Sequence, residues 1–306
     1  MREMAPCNPR QGVDIPNYSM RPTATRGELQ AADAYCLMLA DGHYENFSVA
    51  SKLLSAQLRV HLARIYAYCR TTDDLGDESG SVEAGRARLA RWRDDVEQLF
   101  AGKPPVHPAL IALAETIAQY RMQGAPFLDL IAANVQDQEV TAYASWSDLL
   151  AYCHNSAAPV GRMVLTVFGI SSPVTERLSD DVCIGLQLAN FAQDVARDGV
   201  LGRTYLVQDD IRAGGTQHAT RVMVERAREL LASGRALERM APSGLRFQLA
   251  LYRLGGLAIC DAIARIDYRT DVTRPTVTRA VKLGLLARAI ALSLQPVRDA
   301  QPAETA

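Results

Sequence analysis

Two acidic stretches hold the residues best suited to chemistry in this 306-residue chain. The first reads Arg70-Thr71-Thr72-Asp73-Asp74-Leu75-Gly76-Asp77-Glu78. The second reads Gln187-Leu188-Ala189-Asn190-Phe191-Ala192-Gln193-Asp194-Val195-Ala196-Arg197-Asp198. At about 100° per helical residue, Tyr66, Arg70, Asp73 and Asp77 share one narrow stripe. Gln187, Asn190, Asp194 and Asp198 share another. Between Val182 and Ala196 only Gln187, Asn190, Gln193 and Asp194 are strongly polar, and Ile184, Leu186, Leu188, Phe191 and Val195 cover much of the remainder. A helix that apolar, with so thin a polar strip, should face an internal polar cavity. Buried carboxylates need cations, which Arg or Lys partners or a metal could supply. Mg²⁺ prefers hard oxygen donors and takes one or two carboxylates plus phosphate oxygens. Acids offered from two facing helices could therefore clamp a diphosphate through bridging Mg²⁺.

The elements that must hold these stripes are helices. Apolar spacing predicts helices over Glu28 to Ala40, Leu58 to Glu78, Ala84 to Phe100, Pro108 to Met122, Phe127 to Val140 and Trp146 to Phe168. It predicts further ones over Thr175 to Arg197, Thr216 to Ala232, Leu245 to Asp267 and Thr276 to Leu294, and a short apolar stretch at Phe47 to Leu54. Ser145 with Asp148 reads as a capping box, and Gly124-Ala125-Pro126 and Ser171-Ser172-Pro173 read as breaks. No alternating strand run interrupts the series, so the expected class is all α, a helical bundle around a central cavity. One domain over 27–294 is expected, with a loose leader at 1–26 and a fraying tail at 295–306.

Composition narrows the ligand. Lys and Arg number 33 against 34 Asp and Glu, and 48% of residues are apolar. That balance argues against a general affinity for nucleic acid, which calls for a basic surface. The six cysteines are scattered without a CxxC pair, and the first residues show no continuous apolar run, so a reduced cytoplasmic protein is expected. No G-x-G-x-x-G or P-loop supports a Rossmann or kinase-type nucleotide site. The five histidines include no H-E-x-x-H, and His43 is the one worth testing for contact with diphosphate or water.

The two stretches, taken with Tyr152-Cys153 through Val160-Gly161 and Gly202-Arg203-Thr204-Tyr205-Leu206, resemble the head-to-head isoprenyl diphosphate synthases, the squalene and phytoene synthase family. The resemblance runs from about His43 to Lys282. Its first aspartate motif matches Asp73, Asp74 and Asp77. Its second, QxxNxxxDxxxD, matches Gln187, Asn190, Asp194 and Asp198. His43-Tyr44-Glu45-Asn46-Phe47 looks like the HYENF opening of bacterial hydroxysqualene synthases, where squalene and phytoene synthases usually carry serine at the position of Asn46. Asn190-Phe191-Ala192-Gln193-Asp194 is similar to that branch's NFWQD, with Ala192 in place of Trp; most condensing relatives have Arg where Gln193 stands.

The resemblance implies the isoprenoid synthase fold and ionisation of presqualene diphosphate to hydroxysqualene. Mg²⁺ would be held by Asp73, Asp74, Asp77, Asn190, Asp194 and Asp198, with Arg70 and Arg203 donating to phosphate oxygens. His43, Asn46, Phe47, Tyr66, Gln187 and Gln193 would contact substrate. Tyr152, with Phe47, Tyr66, Phe168 and Phe191 as further candidates, would offer an electron-rich face to a carbocation, worth roughly 0.5 to 2 kcal/mol per face. Transient contact with the inner membrane and with other squalene-pathway enzymes would follow from an amphiphilic substrate. A condensing synthase is the alternative. A noncatalytic assembly protein of the same fold is a further one, disfavoured because every expected acid is present.

Overall fold

The structure, a computed structural model, describes residues 24–43 and 54–294, with the backbone alone at Gly42 and His43. Regular structure among the described residues is helical: α1 (Arg26–His43), α2 (Ala56–Asp77), α3 (Val82–Phe100), α4 (Pro108–Tyr120), α5 (Ala125–Gln136) and α6 (Trp146–Ser156) form the first half. The second half comprises α7 (Ala158–Val167), α8 (Pro173–Gln193), α9 (Val195–Val200), α10 (Gln208–Met240), α11 (Ser243–Arg265) and α12 (Arg279–Ser293). The expected all-α class holds. The expected site residues Asn46 and Phe47 and the side chain of His43 lie outside the described residues, as do nearly all of the expected leader and the tail.

Side-chain caps set most helix starts. Ser55, Ser81 and Thr278 accept from the backbone N–H three residues on. The Ser145–Asp148 capping box is present in both directions. Ser172, expected only as part of a break, also starts α8 through a reciprocal box with Thr175.

Two predicted helices are broken in the structure. Trp146 to Phe168 divides at Ala157, because Pro159 has no N–H to donate and its ring would collide with the carbonyl four residues back. Thr175 to Arg197 divides at Asp194 (φ −101°, ψ 16°), which closes α8 and opens α9. The second acidic stripe is therefore bent at its central carboxylate. A third helix is longer than expected: α10 begins at Gln208 and is interrupted at Gly214 and Gly215, where Gly215 takes φ +77°.

One apolar core gathers Tyr68, Trp92, Leu99, Leu113, Phe127 and Ile131 from α2 to α5. A second gathers Tyr143, Tyr152, Leu188, Phe191, Tyr205 and Met223 around α6, α8 and α10. Helices α2 and α8, which carry the two acidic stretches, both pack on α7, and direct packing between them is sparse. Close approach of α8 to its neighbours depends on glycine. A Cβ at Gly161 on α7 would collide with the Ser179 hydroxyl, and one at Gly185 would lie 3.2 Å from the Ala227 carbonyl of α10.

Candidate active site

On α2, Asp73 accepts a hydrogen bond from Asn134 Nδ2 of α5 at 3.2 Å. Burial pushes its carboxyl up to about 6; the Asn134 bond opposes the shift and the Asp77 charge adds to it. Asp74, also expected among the metal ligands, pairs with Arg70, 2.6 Å away and one turn earlier. Arg70 also approaches Glu78 at 3.8 Å. Its guanidinium is thus engaged along its own helix. Asp77 is exposed at the end of α2 and meets Arg203 Nη1 at 3.4 Å.

The second stretch reaches back to the first through a turn. The Asp198 carbonyl accepts from Leu201 N at 3.0 Å and Arg203 N at 2.9 Å. The chain reverses through Gly202 at φ +72°, a left-handed conformation that favours glycine. Thr204 N then bonds the Thr141 carbonyl at 2.8 Å, fixing the segment beside Tyr143. This is what the Gly-Arg-Thr-Tyr-Leu motif does physically: it delivers Arg203 to Asp77. Burial raises the Asp198 carboxyl to about 6, the Asp194 charge adds to it, and Arg197 and Arg203 oppose it.

Two participants escaped the sequence reading. Asp137, just beyond α5, accepts the Tyr152 hydroxyl at 2.6 Å and the Tyr205 hydroxyl at 3.1 Å. Burial raises its carboxyl, against the Tyr152 bond and the Arg203 charge. A signal for it existed: Asn134, Gln136, Asp137 and Gln138 close a helix whose earlier residues are apolar apart from Asp129, much the same logic that singled out α8. Arg274 forms an ion pair with Asp194 and reaches Gln193 Oε1 at 3.4 Å. Nothing local in the sequence links it to Asp194, 80 positions away. The buried Gln193 amide donates to the Pro275 carbonyl at 2.8 Å, so this side chain holds down the 266–278 segment.

Of the aromatic candidates, Tyr152 and Phe191 come together, with Tyr143 and Tyr205. Phe191 stacks on Tyr205 at 3.8 Å between ring centres and 4° between planes, and Tyr152 lies 5.9 Å from Tyr205. Phe168 packs in the apolar core, and Tyr66 is half-buried against the first core. Gln187 is half-buried on α8, and Asn190 is exposed one turn later.

Among the described residues no group of three or more His, Cys, Asp or Glu side chains stands ready to hold a metal. The donor chemistry nevertheless fits a hard divalent cation. Arginines balance Asp74, Asp77 and Asp194, while Asp73 and Asp198 bind protons more tightly than ordinary carboxylates because burial leaves their charge under-compensated.

Helices alone, with two acidic stretches on separate helices about a common neighbour, define the isoprenoid synthase class. A dehydrosqualene synthase in complex with ligand shares this fold at a TM-score of 0.77 and 21% identity, over 87% of this chain and 97% of that one. The chain belongs to the squalene/phytoene synthase family, whose model matches residues 40–281. That family comprises enzymes that bind isoprenyl diphosphates and use a divalent metal. The squalene synthase HpnC from Alicyclobacillus acidocaldarius is 42% identical with a TM-score of 0.73, over 80% of this chain and 97% of that one. Phytoene synthase 3 of Zea mays is 31% identical over 94% of this chain and 72% of its own length. The hydroxysqualene synthase of Rhodopseudomonas palustris is 34% identical over 56% of this chain and 58% of its own length.

Proposed function

We propose that this enzyme converts presqualene diphosphate and water to hydroxysqualene and diphosphate, with Mg²⁺ as cofactor. The observation that carries the reading is Gln193: a neutral amide precedes Asp194 at the position where, by the motif resemblance, most condensing synthases have arginine, and it donates to the Pro275 carbonyl at 2.8 Å. Likeness to the hydroxysqualene synthase of Rhodopseudomonas palustris and to squalene synthase HpnC supports it.

Asp73, Asp77, Asn190, Asp194 and Asp198 would hold the metal, which when bound supplies Lewis-acid stabilisation of the departing diphosphate. Arg203 donates hydrogen bonds to phosphate oxygens, and its place beside Asp77 puts that donor at the first acidic stretch. Arg70, paired with Asp74, adds charge on the same helix. As the C–O bond breaks, the electron pair leaves with diphosphate and positive charge remains on the cyclopropylcarbinyl carbon. Tyr152, Phe191 and Tyr205 provide the electron-rich wall for that charge, and Asp137 fixes both phenols by accepting their protons in hydrogen bonds. After rearrangement water adds through oxygen and loses a proton. His43, Asn46 and Phe47 belong to the proposed substrate contacts on motif grounds alone, as do Tyr66 and Gln187.

Condensation of two prenyl diphosphates is the second reading, favoured by 31% identity to Phytoene synthase 3 of Zea mays across 94% of the chain. Product analysis separates the two. With presqualene diphosphate and Mg²⁺, and without NADPH, hydroxysqualene is expected. Farnesyl diphosphate alone should yield no presqualene diphosphate, and robust condensation from it would replace the first reading with the second.

A further inference from the structure

Helix α12 is apolar on two sides. Its inner side sets Leu285, Leu286, Ala289 and Leu292 against Phe247, Ala250 and Leu254 of α11. Its outer side carries Leu283, Ala287, Ile290 and Leu294, spaced four, three and four residues apart, so they fall in a stripe about 60° wide. All four are exposed, Leu283 by 67% and Leu294 by 80%. A water-facing side would normally carry charge there.

The charges that α12 does carry are of one sign. Residues 272–298 contain Arg274, Arg279, Lys282, Arg288 and Arg298 and no Asp or Glu, although acids slightly outnumber bases in the whole chain. By helical rotation Arg279 lies beside one edge of the apolar stripe, Lys282 lies about 110° from its centre on the same side, and Arg288 lies about 130° from its centre on the other side. Three large exposed apolar side chains on a helix whose only charges are basic match a lipid surface. The apolar groups enter the acyl boundary while the arginines remain at headgroup level. Exclusion of every acid from the stretch selects anionic headgroups.

We propose that the outer face of α12 docks reversibly on an anionic lipid bilayer. The docking face is joined to the candidate active site by a short covalent path. Helix α12 starts just after Pro275, whose carbonyl is held by Gln193, and Arg274, paired with Asp194, precedes it. Docking therefore engages the helix that continues directly from the segment tied to the second acidic stretch, on a bilayer in which a long apolar substrate would dissolve. The face itself stands on α12; only this use of it rests on the proposed reaction. Helix α11 alone among the described helices is long and apolar enough to span a membrane, but 61% of its most apolar window is buried in the bundle, which leaves surface contact as the mode.

The test is flotation of the full chain, without substrate, on phosphatidylcholine vesicles with and without one-third phosphatidylglycerol. Binding to the anionic vesicles is expected, weakening as salt rises. The double variant Leu283→Glu/Leu294→Glu should lower the bound-to-free ratio at least about tenfold, and Arg288→Glu should act mainly on the anionic vesicles. Both sites are exposed, so thermal melting should stay unchanged. No binding by the wild type, or equal binding by the double variant, overturns the proposal. So does a concentration-dependent dimer that the double variant abolishes, since the face would then be covered by a second copy. Wild-type binding seen only after removal of residues 1–23 would give the face to the chain's own leader. Hydroxysqualene formation is measured separately, so loss of the reaction and loss of docking remain distinct results.

Discussion

Arg203 Nη1 stands 3.4 Å from Asp77 Oδ1, across 126 positions of sequence, and joins the loop after the second acidic stretch to the end of the first. The guanidinium also opposes the proton affinity of Asp137 and Asp198. One cation thus touches the electrostatics of both stretches and of the tyrosine cluster.

Arg203→Ala should separate function from stability. Asp77 is well exposed, so the ion pair itself contributes at most about 1 kcal/mol to folding. Loss of a phosphate donor should lower turnover of presqualene diphosphate about a hundredfold, or ~2.7 kcal/mol. Parallel measurement of diphosphate release and thermal melting checks this. Unchanged turnover would remove Arg203 from the site.

Asp73→Asn and Asp194→Asn should each lower turnover by at least roughly a hundredfold, ~2.7 kcal/mol, through loss of a charged metal donor. Chelation should abolish activity in the parent enzyme and added Mg²⁺ should restore it. If both variants keep full turnover, the metal assignment fails.

Tyr152→Phe removes a hydrogen bond to a carboxylate that is largely withdrawn from water. The expected loss of folding stability is about 1.5–3 kcal/mol. Tyr205→Phe should be milder, because its bond to Asp137 is longer, 3.1 Å against 2.6 Å. Urea midpoints for the two variants give the ordering, and the reverse order would show that Asp137 leans on Tyr205.

The helices and both acidic stretches were legible in sequence because periodicity is a local property. The bend at Asp194 was not: the apolar pattern continues through Val195, and the break lies in the backbone angles at Asp194. The Ala157 break was nearer to legible, since Pro159 announces it. Asp74 looked equivalent to Asp73 in the motif, yet the two point differently. One position along a helix turns a side chain by about 100°, which takes Asp74 to Arg70 and Asp73 to Asn134. Asp137 and Arg274 depend on tertiary packing and have no local counterpart to Tyr152 or Asp194 in the sequence. The role of Gln193 was read from motif comparison alone; its grip on Pro275 needed the fold.

His61 gives a pH signature independent of the site. It is buried between Thr116 and Tyr120, and burial together with the Arg64 charge lowers its imidazole to about 4, with Asp33 opposing. The unfolded chain binds this proton below its ordinary value of about 6.5, whereas the folded chain resists it until about 4. Stability should therefore fall as pH drops across that window and owe nothing to His61 above it. Denaturation midpoints should show a shallower slope between those pH values for His61→Gln. An identical slope would assign the pH dependence elsewhere.

Gln193→Ala tests whether the amide acts on the segment it holds. Removing it breaks the bond to the Pro275 carbonyl and the contact with Arg274 Nη2. A single such bond contributes about 1 kcal/mol, enough to raise local opening roughly fivefold. Hydrogen exchange should accelerate over residues 269–278 and stay unchanged in α2, where no contact is altered. If Gln193 mainly positions Arg274 on Asp194, KM for presqualene diphosphate should rise in step with that exchange while the product remains hydroxysqualene. A new condensation product with unchanged exchange would instead mean that the residue selects the reaction by touching substrate.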